Sequence, residues 1–133
     1  VTMQFGNHAA NVAVRKARDY LRSVDADVST LRPTEHQVQY ERRLLGEVER
    51  LTEINKGLRV TWSEIPSGDR AAELVAEAIK AIDTWLARWQ VAYEHGRDLA
   101  DVMREHRELV GITRKIEEEL SRLRGQTPLD PHV

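Results

Sequence analysis

The sequence predicts an all-α fold: three long amphipathic helices and one shorter N-terminal helix, packed as an antiparallel bundle that self-associates. Three observations carry this prediction. Apolar residues recur in alternating steps of four and three along most of the chain, the spacing that keeps side chains on one face of a helix. The composition, 41% hydrophobic and 32% charged with a single Phe, suits a helical globular domain and argues against disorder. The segment 97–124 carries a heptad seam of mostly apolar residues over four repeats. With 133 residues, one domain over 1–124 is large enough to enclose its own core, and a flexible tail is expected over 125–133.

The first helix is expected over 8–24, where Ala10, Val14, Ala17, Leu21 and Val24 share a face. Polar turn-formers follow from Asp25 to Arg32. Pro33 suits a helix's first turn, and Thr34 with Gln37 matches a capping box, so the second helix is placed at 34–57. Its buried stripe is Tyr40, Leu44, Val48, Leu51 and Leu58, widened by Leu45 and Ile54, and Gly57 reads as its left-handed stop. Leu58, Val60 and Trp62 then alternate with polar residues in the period of a strand. The segment reads as an extended connector whose Trp62 plugs one end of the core, or as an edge or aromatic anchor offered to a partner. Ser67 is the expected N-cap of a third helix over 67–94, with Val75, Ile79, Ile82, Leu86, Trp89 and Tyr93 inward. Trp85 is also assigned to the core.

The fourth helix, 97–124, has the seam Leu99, Val102, His106, Leu109, Thr113, Ile116, Leu120 and Leu123, preceded in phase by His95. This seam is one position out of step with the stripe ending at Tyr93. Either the chain turns near Gly96 into a hairpin, or one long helix holds a local discontinuity; Gly96 favours the turn.

The chemistry carried by these elements is sparse. There is no cysteine, which excludes disulfides, thiolate metal sites and a thiol nucleophile. No Glu stands three residues before any histidine, so the di-iron pattern of four-helix proteins is missing, as are the His-Glu-x-x-His, P-loop, GxSxG and EF-hand motifs. No cofactor is expected. The net charge of −2 comes from mixed acidic and basic residues and exerts no general pull toward nucleic acid or acidic membranes. No stretch reaches membrane-spanning length, and no signal-peptide run opens the chain, so a cytoplasmic location is expected, in a host cell if the chain is phage-encoded. Arg exceeds Lys sixteen to four, which suggests a GC-rich bacterial or phage genome.

Three features invite a functional reading. His106 and Thr113 are polar residues on an apolar seam, where such residues set register or oligomeric state and a histidine can sense pH. Beside the seam, Glu94, Asp98, Asp101, Glu105 and Glu108 form an acidic stripe that calls for compensating cations, with Arg42, Arg43 and Arg50 as candidates, or for a divalent ion, or for solvent. Basic strips occur at Arg15, Lys16, Arg18 and Arg22, and at Arg97, Arg104, Arg107 and Arg114, where phosphates could bind.

Glu73 and Glu77, followed by the Asp98-Leu-Ala-Asp-Val102 stretch, also resemble the all-α nucleoside triphosphate pyrophosphatases of the MazG type. The resemblance implies magnesium held by Glu73, Glu77, Asp98 and Asp101, activating water against a phosphoanhydride. The family's Glu-Glu-x-x-Glu is here Ala72-Glu73-Leu74-Val75-Ala76, and its Glu-x-x-Asp is Asp98-x-x-Asp101. The primary expectation is a non-enzymatic interaction or assembly protein, such as an adaptor, a phage structural component or a small regulator. It would contact itself or a protein partner through Trp62 and the last seam. The pyrophosphatase-like enzyme and a nucleic-acid-associated protein are the alternatives.

Overall fold

The computed structural model describes residues 2–29, 33–96 and 99–125, in which four helices are present: α1 (Thr2–Ser29), α2 (Pro33–Glu64), α3 (Arg70–Glu94) and α4 (Leu99–Gly125). No strand occurs among the described residues. The tail expected beyond Gly125 and the side chains of Thr34, Gln37, Tyr40, Leu44 and Leu99 lie outside that description.

The helices pack around one core. α1 lies beside α2 and α4, α3 lies beside the same two, and diagonal contacts are few. Most of the expected stripes supply the interior: Ala10, Val14, Ala17, Leu21 and Val24 from α1, Leu51 and Leu58 from α2, and Val75, Ile79, Ile82 and Trp89 from α3, whereas Leu45 and Tyr93, also expected inward, are exposed. Trp85 is buried as well, its indole N–H donating to the Val102 carbonyl at 3.2 Å. Contact order runs oppositely in α1 and α4, and in α3 and α4. Asn11 meets Ser121 and Asp25 meets Arg107, while Arg70 meets Glu119 and Arg88 meets Glu105.

Several boundaries differ from expectation. α1 continues past Val24 through Ser29, and Asp25 faces Arg107 of α4 at 3.5 Å. α2 does not stop at Gly57 but runs to Glu64, and the extended connector does not exist. Gly57 keeps an ordinary helical backbone; the left-handed glycines among the described residues are Gly68 and Gly96. The reason is burial. Leu51, Leu58 and Ile65 lie seven residues apart and all enter the core. Burying each of the last two stabilises by roughly 1.5–3 kcal/mol, more than the cost of about 1 kcal/mol for a glycine inside a helix. Trp62, expected to plug the core, is 47% exposed.

The third helix starts later than expected. Gly68, with φ of 87°, completes a turn from Pro66 to Asp69, so Ser67 cannot be the cap. Asp69 takes that role: its backbone is extended and its carboxylate accepts from the Ala71 N–H at 2.9 Å. At the other end the His95 N–H donates to the Val91 carbonyl, and Gly96 has φ of 64°, a conformation that terminates helices. α3 and α4 are separate packed helices, the alternative that Gly96 favoured over one long helix with a discontinuity. The fourth helix was expected from 97; residues 97 and 98 are outside the description.

Candidate functional site

The α4 seam faces the interior of its own chain. Val102, His106, Leu109, Thr113, Ile116 and Leu120 are all buried, and Leu123 packs partly buried against them. α1 and α3 close over this face, so the seam is not a free surface for another molecule.

His106 is a fully enclosed polar group on the seam, with 1% exposure. Its ring meets the Trp85 indole edge-on at a centroid distance of 5.3 Å, and its Nδ1 has no hydrogen-bond partner. Burial pushes the imidazole down to about 4; the Asp25 carboxylate opposes that shift and the Arg107 guanidinium adds to it. At neutral pH the ring is therefore uncharged. Thr113 is satisfied inside its own helix, its hydroxyl reaching the Leu109 and Val110 carbonyls at 3.1 and 2.9 Å.

Sequence patterning alone did not single out the polar network between α1 and α4. Asn11 is buried and donates from Nδ2 to the Glu117 carbonyl at 3.0 Å and to Ser121 Oγ at 2.6 Å. Arg15 donates to Asn11 Oδ1 and to Glu117 Oε1, and Arg18 stands 3.2 Å from Glu117 Oε2. Asp19, by accepting from Arg18, raises that guanidinium above its ordinary range. A buried carboxylate between two arginines is a register lock for the helix pair. Its signal in the sequence was Asn11, which follows Ala10 on the buried side of the first helix.

The acidic stripe does not act as a unit. Glu105 meets Arg88 of α3 at 3.1 Å, Asp101 pairs with Arg104 one turn along, and Glu94 accepts from Gln90. Helix three, and not the expected arginines Arg42, Arg43 and Arg50 of helix two, supplies the cation for Glu105. Glu108 has no ion pair among the described residues, and Asp98 lies outside them. The basic strips are likewise engaged by carboxylates: Arg15 and Arg18 by Glu117, Arg104 by Asp101, Arg107 by Asp25. Lys16, Arg22 and Arg114 remain exposed, and Arg97 is outside the description.

Of the pyrophosphatase-like set, Asp98 lies outside the described residues, and Glu73 and Asp101 do not converge. Glu73 pairs with Arg70, which also holds Glu119, whereas Asp101 is near the Arg88–Glu105 end of the α3–α4 pair. At 1.5 Å per residue this separates Glu73 from Asp101 by on the order of 25 Å along the helices. Among the described residues no three of His, Asp and Glu are grouped as metal ligands would be. Glu73 and Asp101 therefore do not share the magnesium site that the resemblance implies.

Among the described residues the fold leaves open a groove on each of two sides. One, about 420 Å³, runs between α3 and α4 over Ala81, Trp85, Leu109 and Ile112, with Glu77, Lys80 and Glu108 on its walls. The other, about 470 Å³, lies between α1 and α2 over Ala9, Val12, Ala13, Ile54 and Leu58. Because each helix neighbours only two others, these grooves occupy opposite sides of the molecule. Ile112, beside the first groove, is 44% exposed. No helix among the described residues is long and apolar enough to cross a membrane.

No family model, no curated protein and no solved structure matches the chain significantly.

Proposed function

We propose that this chain is a non-enzymatic helical interaction protein, an antiparallel four-helix bundle that presents its outer helical faces to a second copy or to a protein partner. One observation carries the reading: the seam is consumed inside the chain, while apolar-floored grooves and large exposed apolar side chains, Val60, Trp62 and Ile112 among them, remain on its outside. Opposite contact order in α1 and α4, and in α3 and α4, supports the antiparallel arrangement. An adaptor, assembly factor, phage structural component or small regulator working in the cytoplasm is the class of protein this describes. Trp62, half-exposed at the end of α2, keeps its proposed place as an anchor, whereas the seam residues act by holding the bundle together.

The test is affinity capture from the native cell with the wild-type chain as bait, compared with Ile112→Glu on one groove and Ala13→Glu on the other. Stoichiometric recovery of one protein, the chain itself included, that is lost with either variant is the expected result. A bait that remains monomeric and recovers nothing sinks the reading.

A further inference from the structure

The outward side of α4 carries a charge pattern that is complementary to itself read backwards. About a centre between Gly111 and Ile112, Glu108 is mirrored by Lys115, Arg104 by Glu119, and Asp101 by Arg122. These three mirrored pairs join opposite signs; Glu105 and Glu118, mirrored about the same centre, are alike in sign, but Glu105 is partly buried and held by Arg88 of α3. The seven-residue and longer gaps prevent these pairs from meeting within one helix, where only residues three or four apart are neighbours. Glu108, Lys115 and Arg122 are exposed and have no ion pair within the chain among the described residues; Asp101 and Arg104 bond each other, and Glu119 holds Arg70.

At the centre of the pattern stands Ile112, the exposed large apolar side chain of α4. Beside it Gly111 has open space where a Cβ would project, with no heavy atom within 4 Å. An exposed knob next to a gap is the shape that two identical helices need in order to approach at a two-fold axis.

We propose that α4 is the interface of a symmetric homodimer in which it runs antiparallel to α4 of a second copy, crossing at Gly111 and Ile112. Each Ile112 lies over the gap at the partner copy's Gly111. Glu108 faces Lys115, Arg104 faces Glu119 and Asp101 faces Arg122, each pair occurring twice by symmetry. A parallel pairing would set every charge against its own copy. The same charges therefore select orientation and register, while the apolar centre supplies contact area, since exposed ion pairs add little affinity. This inference rests on the interaction reading above and names its partner as the chain itself.

The test uses charge exchange in the full chain, with mass measured by sedimentation equilibrium from about 1 to 500 µM, the range of weak to moderate association. The wild type is expected to pass from 15.3 kDa to twice that mass. Ile112→Glu, Glu108→Lys and Lys115→Glu are each expected to raise the dissociation constant at least about tenfold, while helical content by circular dichroism is unchanged. The double variant Glu108→Lys/Lys115→Glu should dimerise again, and mixing the two single charge variants should yield a heterodimer, because both facing pairs then regain opposite signs. The chain has no cysteine, so Ile112→Cys introduces a unique thiol that should form a disulfide-linked dimer on mild oxidation, whereas Lys16→Cys on α1 should not. A wild type that stays monomeric throughout, a dimer indifferent to Ile112→Glu, or charge variants that do not recombine overturns the proposal. A monomer that still captures a different protein would leave the broader interaction reading standing and remove only this interface.

Discussion

His106 shows how one buried group ties stability to pH. Its folded-state value of about 4 lies below the ordinary 6.5. Between those values the unfolded chain binds a proton that the folded chain excludes. The stability this group supports is complete above about pH 6.5 and declines as pH falls toward 4, by on the order of 3 kcal/mol in total. Urea unfolding of the wild type and His106→Leu at pH 7 and pH 4.5 measures it: the variant should lose distinctly less stability on acidification. An equal loss in both would show that the imidazole is not the responsible group. Thr113, buried on the same seam, makes no bond outside its own helix. Thr113→Val should accordingly leave stability unchanged or raised, by at most about 1 kcal/mol, because no partner is left unsatisfied. A larger loss would mean that the hydroxyl has a second role.

At the scale of the element, the glycines separate into two kinds. Gly57 has a helical backbone inside α2, and a Cβ there would meet nothing within 4 Å. Gly57→Ala should therefore stabilise the fold by about 0.5–1 kcal/mol, raising the thermal midpoint by a few degrees. Gly96, at φ of 64°, ends α3 in the left-handed region. Gly96→Ala should destabilise by about 1 kcal/mol despite the open space around it, the cost lying in the backbone and not in packing. Calorimetry of the two variants should give midpoint shifts of opposite sign, and a rise in both would contradict the assigned conformations. Both glycines read as helix stops in the sequence, and only one is.

For the molecule as a whole, Glu117 has consequences out of proportion to its size. It joins α1 to α4 through Arg15, Arg18 and, by its carbonyl, Asn11. Glu117→Ala leaves Arg18, mostly covered, without its inter-helix counter-charge and should cost about 1–3 kcal/mol in chemical denaturation. Removing the exposed Glu118 next to it should have little effect. Equal effects would refute the network's role in holding the two helices in register.

Helical class, the number of helices, the faces they bury and the break at Gly96 were legible in the order of residues. Each rests on local rules: a 3.6-residue repeat, the satisfaction of terminal N–H groups, and the backbone freedom of glycine. The path of the chain after Gly57 was not legible, because Leu58, Val60 and Trp62 alternate in a strand's period, whereas the helix buries Leu58 and leaves Val60 and Trp62 exposed. Only the common core that receives Leu58 and Ile65 decides between them. The candidate site was legible in part: the acidic stripe and the polar seam positions could be named, but not their surroundings. Whether a seam faces its own chain or another, and which cation meets Glu105, depends on contacts between residues far apart in sequence. Those contacts are set by the packing of whole helices, where several kcal/mol of burial outweigh the roughly 1 kcal/mol preferences that a local pattern expresses.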